Sequence, residues 1–320
     1  MARDMIESEA QSEVIVFALA ASPGFLKDGI CFAASQSGLN RSDDGGATWR
    51  SMYGSLNVEL PLTTVAVTLS PDFGSDQTVF AGVQGGLLCS TDGGETWQAA
   101  LLPSPPPDLS TVIVSTDFTR DGIVLAGTME DGVFRSTNRG RHWHSANFGL
   151  LDLHVLCLAI SPDFANDETI LAGTESGIFR STNGGRSWRE VDFAAELAPV
   201  LSLGLSPTYA SDGIVLAGTE ACGLFCSKDK GNTWTRLGRE LMSVAINGIV
   251  TSLGHTGKLE ILILLSEQLL ISRDGGQRWS TWKKKMHFRQ SLTSVAAPSG
   301  LRPGMPLLVG LADGSARRID

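Results

Sequence analysis

The 320-residue chain has few of the sequence features that membrane-spanning helices, secretion signals and nucleic-acid-binding surfaces require. No apolar run approaches the ~18 residues of a membrane helix. The N-terminal ten residues are rich in acids and lack the apolar core of a signal peptide, so we expect a cytoplasmic protein without membrane insertion. Charged residues make up only 18%, and the net charge is −9. An acidic chain of this kind is not expected to bind the phosphates of nucleic acids.

Cysteine, histidine and tyrosine are also scarce, at five, five and two residues. The cysteine number is odd, and most of the cysteines lie in apolar runs, which predicts reduced thiols in the core. Cys222 and Cys226 are separated by three residues and have no second pair, so a zinc site is not expected. The histidines are scattered. We therefore predict neither a metal nor a cofactor.

Glycine, by contrast, is abundant at 36 residues, and an internal repeat uses much of it. The motif Ser-x-Asp/Asn-x-Gly-x-x-Trp occurs six times, every 45 to 48 residues, and holds six of the seven tryptophans. Glycine supplies positive φ in a tight turn, the Asp or Asn accepts backbone N–H bonds, and the Trp packs across the turn. We therefore interpret the motif as structural, not catalytic. Its fixed positions are Ser42, Asp44, Gly46, Trp49, Ser90, Asp92, Gly94, Trp97, Ser136, Asn138, Gly140, Trp143, Ser181, Asn183, Gly185, Trp188, Ser227, Asp229, Gly231, Trp234, Ser272, Asp274, Gly276 and Trp279.

Each repeat also contains four short strand-like runs separated by turn signals. In the fourth repeat the runs cover residues 155–160, 169–172, 177–180 and 187–191. Seven such units start near Val14, Leu62, Leu109, His154, Pro199, Ser243 and Ser291, and the seventh has only its first three strands and no box. These units predict an all-β, seven-bladed β-propeller with antiparallel blades, in which each motif joins the third and fourth strands. We expect one propeller domain over residues 13–320. Residues 1–12 are expected either to form the outer strand of the incomplete seventh blade or to be an acidic tail.

The six copies resemble the Asp-box, or bacterial neuraminidase, repeat. The resemblance covers the chain from about Val14 onward and places it near the sialidase-like and photosystem II assembly-factor-like propellers. It implies the propeller fold but no single function, since sialidases, xyloglucanases and sortilin-type receptors also carry these boxes. In sialidases the boxes lie on the face opposite the active site. The resemblance therefore also argues against a catalytic role for the boxes.

The loops between second and third strands carry acids in five of the seven blades. We predict that these residues gather on the face opposite the boxes and bind a basic peptide, a cation or a sugar, the alternative being solvated turn residues. The candidates are Glu130, Asp131, Glu175, Glu220, Glu267 and Asp313. Several loops between blades are rich in apolar residues, which either fill gaps between blades or form a partner-binding patch. They include residues 52–60, 101–107, 148–151, 193–197 and 286–288.

These observations favour a non-catalytic scaffold or accessory subunit that binds another protein or a multi-subunit complex. A sialidase needs an arginine triad and a Tyr–Glu pair, but most arginines lie in or beside the boxes. Tyr209 replaces a packing Phe, and no triad motif lies near Tyr53. The alternative is a glycan-binding or glycan-cleaving propeller that uses carboxylates opposite the boxes. Trp282 is the one tryptophan outside the boxes, so aromatic platforms for sugars are scarce.

Overall fold

A computed structural model describes residues 14–56, 61–193, 198–238, 241, 243–283 and 288–320. Within them, seven antiparallel sheets follow one another along the chain, six with four strands and the last with three. In every sheet the strands pair in chain order, so each sheet is one up-and-down meander. The first strands of successive blades contact one another around the ring, and the first and last blades meet. The predicted seven-bladed β-propeller is therefore confirmed.

The strands are numbered along the chain, four in each of blades one to six and three in blade seven. Blades one to three contain β1 (Val16–Ala21), β2 (Cys31–Ser35), β3 (Gly38–Ser42), β4 (Arg50–Ser51), β5 (Thr64–Leu69), β6 (Val79–Val83), β7 (Gly86–Ser90), β8 (Gln98–Ala99), β9 (Leu109–Val114), β10 (Val124–Thr128), β11 (Val133–Ser136) and β12 (His144–Ser145). Blades four and five contain β13 (Val155–Ile160), β14 (Ile170–Thr174), β15 (Ile178–Ser181), β16 (Arg189–Glu190), β17 (Val200–Leu205), β18 (Val215–Thr219), β19 (Leu224–Ser227) and β20 (Thr235–Leu237). Blades six and seven contain β21 (Gly248–Leu253), β22 (Leu259–Leu264), β23 (Leu269–Ser272), β24 (Ser280–Thr281), β25 (Leu292–Ala296), β26 (Leu307–Leu311) and β27 (Ala316–Ile319).

Apolar packing between blades forms the core. The second strand of each blade is buried along its whole length, because both of its faces are covered. Seven apolar clusters occupy the seven interfaces between neighbouring blades. The cluster between blades one and seven is the smallest in the described residues, with only Phe25, Cys31 and Leu308 buried. A blade thus has little stability apart from its neighbours.

The ring closes through the inner strands of blades one and seven. Thr293 and Ser294 in β25 both donate side-chain hydrogen bonds to the carbonyl of Val16, at 2.7 and 3.3 Å. Gly310 leaves the room that Val16 occupies, since a Cβ there would lie 2.7 Å from Val16 Cβ. The predicted closing strand, residues 1–12, lies outside the described residues.

Five single-turn helices connect the first and second strands of blades one to five. They are α1 (Phe25–Asp28), α2 (Phe73–Asp76), α3 (Phe118–Asp121), α4 (Phe164–Asp167) and α5 (Tyr209–Asp212). Each buries its first aromatic side chain. A serine before the helix donates to the helix's last aspartate, as Ser161 does to Asp167 at 2.8 Å, and this aspartate also accepts the N–H of Thr169. The same bond from serine to aspartate recurs in blades one to five, so this segment is a second hydrogen-bonded turn besides the box.

The six boxes lie between third and fourth strands, as predicted. In the fourth blade, Ser181 Oγ accepts the N–H of Gly185 at 2.9 Å, and Asn183 Oδ1 accepts the N–H of Ser187 at 2.9 Å. Gly185 has a φ of 81°, and a Cβ there would lie 2.6 Å from Leu125 of the preceding blade. Backbone conformation and close approach therefore both require glycine at this position.

Candidate functional site: a cleft between blades three and four

The hydrogen bonds divide the ring into two faces. Each box bonds to the end of the preceding helix or turn, as Gly184 N–H does to the carbonyl of Glu168, so boxes and helices share one face, here called the box face. On the other side, the turn after each second strand bonds to the segment before the first strand. Glu175 N–H donates to His154 O and Glu220 N–H to Pro199 O. We call this side the top face.

All six predicted acids are exposed in turns of the top face. Glu130 and Glu175, from neighbouring blades, line one cleft, and Glu130 and Asp131 line a second cavity. The structure does not group Glu220 or Glu267 with them. Asp313 accepts hydrogen bonds from the N–H and the hydroxyl of Ser315, at 3.0 and 2.6 Å, and so stabilises its own turn.

The cleft between blades three and four is an open space of about 640 Å³. Its lining combines carboxylates, a histidine and two leucines. The lining residues are Glu130, Leu151, Asp152, Leu153, His154, Glu175 and Ser176. Leu151 is 78% exposed and Leu153 is 36% exposed, and Met129, beside Glu130 in the chain, is 40% exposed. We call Leu151 and Leu153, which both line the cleft, the apolar patch.

Asp152 fixes one wall of the cleft. Its carboxylate accepts the backbone N–H of His154 at 3.0 Å and that of Ser176 at 2.8 Å, and it lies 3.2 Å from His154 Nδ1. Partial burial works to raise the pKa of Asp152, but the hydrogen bonds from His154 and Ser176 outweigh it and lower the pKa to about 2. Asp152 therefore stays ionised at neutral pH and holds the connecting loop against blade four.

Asn147 anchors the same loop to blade three. Its side-chain amide donates to the carbonyl of Asp131 at 2.8 Å, and its oxygen accepts the N–H of Val133 at 2.7 Å. Gly132 N–H donates to Leu153 O at 3.0 Å. The loop that carries Leu151 and Leu153 is thus bonded to both blades. Sequence reasoning missed Asn147, Asp152 and Leu153; the Asp-x-His sequence directly before β13 is the local signal of the turn at Asp152.

The second cavity, of about 280 Å³, lies on the other side of the Glu130–Asp131 turn. The proline-rich segment 103–107, Asp108 and Phe134 complete its lining. Met129 N–H donates to Asp108 O at 2.9 Å, which ties this wall to the turn as well. Because Glu130 borders both spaces, the two cavities adjoin along the top face.

The apolar loops between blades have different roles. Met52 and Tyr53 are buried between blades one and two, and the Tyr53 hydroxyl lies 2.8 Å from Thr64 Oγ1. Leu101 and Phe148, by contrast, are 64% and 81% exposed. Parts of three of these loops, residues 57–60, 194–197 and 286–287, lie outside the described residues. One loop therefore fills a gap, as one alternative predicted, and others expose apolar side chains.

Other chemistry is sparse in the described part of the chain. It contains no group of three or more His, Cys, Asp or Glu side chains able to hold a metal ion. The five cysteines are unpaired, and burial raises the pKa of Cys31 to about 12 and that of Cys89 to about 11, which keeps these thiols protonated. No helix of the described residues is long and apolar enough to cross a membrane. Tyr209 lies buried in α5 on the box face.

Known proteins agree with this architecture. Residues 88–99 match the BNR/Asp-box repeat model, and a comparison with curated protein sequences finds no match. Among solved structures, the extracellular domain of a putative one-component system from B. thetaiotaomicron is 14% identical with a TM-score of 0.69, covering 97% of this chain and 38% of that one. YCF48 bound to a D1 peptide is 16% identical with a TM-score of 0.70, covering 96% and 94%. The GH74 xyloglucanase from Xanthomonas campestris is 16% identical with a TM-score of 0.72, covering 95% and 51%.

The chain is therefore a seven-bladed β-propeller in which residues 88–99 match the Asp-box repeat model. It spans about two fifths of the Bacteroides domain and half of the xyloglucanase, but nearly all of YCF48. At such identities the likeness shows the fold, and these neighbours include both a peptide-bound protein and an enzyme.

Proposed function

We propose that the protein is a non-catalytic scaffold that binds another protein through the top face of blades three and four. The observation that supports this most strongly is the apolar patch, which lies exposed beside Glu130 and Glu175 on a loop bonded to both blades. Exposed apolar side chains rimmed by charged groups are typical of protein interaction sites. The peptide-bound YCF48, which this chain resembles along nearly its full length, supports the same proposal.

A glycan-cleaving propeller is the second candidate, favoured by the fold of the xyloglucanase and by three carboxylates in one cleft, Glu130, Asp152 and Glu175. Two features oppose it. Asp152 is held ionised by hydrogen bonds within the loop, so it does not supply a proton, and no Trp, Tyr or Phe lines the described cleft as a sugar platform. We therefore place partner binding first.

Affinity capture from the native host, followed by mass spectrometry, tests the proposal. The bait is the full chain, compared with Leu151→Ser and with Leu26→Ser. Leu26 is a matched control, since it is 71% exposed and lies in α1 on the box face. We expect a protein captured by the wild type and by Leu26→Ser to be lost with Leu151→Ser. Equal recovery on all three baits would contradict a top-face site. Hydrolysis of a glycoside panel, abolished by Glu130→Gln or Glu175→Gln, would favour the enzyme instead.

A further inference from the structure

We infer that the cleft and the adjoining second cavity bind an extended peptide segment of the partner, in which a Lys or Arg stands next to an aliphatic residue. The basic side chain enters the cleft between Glu130 and Glu175, and the aliphatic residue packs on Leu151 and Leu153. This inference rests on the proposed function and adds the chemistry of the partner to it.

The negative charge of the cleft favours a Lys or Arg in the peptide. Glu130 and Glu175 face the cleft from two blades, no Lys or Arg lines it, and neither glutamate joins a salt bridge among the described residues. Asp152, the third carboxylate, is already satisfied by backbone N–H groups. Two uncompensated negative charges that face the same open cleft favour a cation. Because the described residues offer no metal-ligand group, an ammonium or guanidinium fits better than a metal ion.

The apolar patch favours an aliphatic residue next to the Lys or Arg of the peptide. Leu151 and Leu153 stand on the same wall as Asp152, next to the carboxylates, and both are exposed. The alkyl stem of a Lys or Arg packs on such side chains while its charged end reaches the carboxylates. An adjacent aliphatic residue covers the rest of the leucine surface, and removing this apolar area from water favours binding.

The shape selects an extended segment. Two cavities adjoin at Glu130, so the surface continues from the cleft past the Glu130–Asp131 turn to the proline-rich segment 103–107. A strand-like peptide spans two neighbouring sites of this kind better than a compact ligand does. Since Asp152, Asn147 and Gly132 already hold the walls in place, binding requires little ordering of the site.

Selection from a display library of random nonapeptides on the immobilised full chain tests the inference. We expect enrichment of sequences with Lys or Arg beside Leu, Ile or Val. Enriched peptides are then synthesised, and their affinities are measured by fluorescence anisotropy at two ionic strengths. Glu175→Gln should weaken binding about ten-fold and flatten the salt dependence, because it removes one partner of a close ion pair.

Glu220→Gln is the matched control. Glu220 occupies in blade five the turn position that Glu175 has in blade four, with the same backbone hydrogen bond. Its substitution should leave the affinity unchanged, and all variants should melt like the wild type. Equal losses for Glu175→Gln and Glu220→Gln, enrichment of neutral or acidic peptides, or no enrichment at all would overturn the inference. If any of these results occurs but the affinity capture still loses its protein with Leu151→Ser, the proposed function stands and only the inference about the peptide fails.

Discussion

Replacing Trp188 tests the structural interpretation of the boxes most fully. The indole is 3% exposed and packs in the apolar cluster between blades three and four, with Leu125 and Leu150 among its members. Its Nε1–H donates to the carbonyl of Ala146 at 2.7 Å. Trp188→Ala therefore removes both a large buried side chain and the partner of a buried carbonyl. Box residues that serve only the fold should affect stability and not selectively affect binding.

The magnitude follows from these two losses. Truncation of a buried Trp to Ala costs about 3–5 kcal/mol, and a buried polar group left without a partner adds roughly 1 kcal/mol or more. An unfolding entropy of ~2.1 cal/mol/K per residue gives about 0.7 kcal/mol/K for 320 residues, so a total loss of about 4–6 kcal/mol lowers Tm by about 6–9 °C.

Calorimetry of the wild type, Trp188→Ala, Trp188→Phe and Trp49→Phe separates the cost of the cavity from the cost of the lost hydrogen bond. Trp188→Phe keeps most of the apolar volume and should cost less than Trp188→Ala. Trp49→Phe is the control for the lost N–H, since Trp49 Nε1 is buried and has no hydrogen-bond partner among the described residues. We expect Trp188→Phe to destabilise more than Trp49→Phe by roughly 1 kcal/mol. A Trp188→Ala protein that melts like the wild type yet loses its partner would refute the structural role.

Three further predictions concern a buried arginine, the aspartate of the fifth box and the N-terminal segment. Arg135 in blade three is 5% exposed and donates from Nε to Gly184 O in blade four at 2.7 Å. Arg135→Met should therefore lower the Tm of thermal unfolding and the midpoint of urea unfolding. The same substitution at the exposed Arg189 should change neither. In the fifth box, bonds from the Thr233 side chain and backbone lower the pKa of Asp229 to about 2, a stabilising contribution that is present above pH ~4 and lost as pH falls toward 2. Acid titration of Asp229→Asn should therefore show a flatter loss of unfolding free energy from pH 4 to 2; an unchanged slope would contradict this. Deletion of residues 1–10 should lower Tm and promote association if that segment closes blade seven, and equal melting with a monomeric product would contradict closure.

The sequence predicts the ring well because the blades repeat. The six boxes fall where expected, and the strands predicted for the fourth repeat agree with β13 to β16 within two residues. The helices α1 to α5 are missed because a single turn of four residues is too short for helical periodicity. Blade six has no such helix between β21 and β22, where residues 254–258 form a turn instead.

The candidate site is predicted only in part. The sequence shows that the acids lie in turns, but a ring of seven blades brings only the turns of neighbouring blades together. Glu130 and Glu175 therefore line the same cleft, while Glu267 lies three blades away from Glu130. Asn147 and Asp152 become meaningful only when their hydrogen bonds to Asp131 and Ser176 are seen. These partners are 16 and 24 residues distant in the chain, and no local pattern pairs them.

Site-specific photo-cross-linking in the native host tests the central claim most directly. A photoreactive residue replaces Leu151 on the top face or, as the control, Leu26 on the box face, both highly exposed. The account predicts a covalent adduct with a partner protein from position 151 and none of that mass from position 26, and the adduct should diminish when Glu175→Gln is added. Adducts of equal yield from both positions, or an adduct from position 26 alone, would contradict the claim that this protein binds its partner at the cleft between blades three and four.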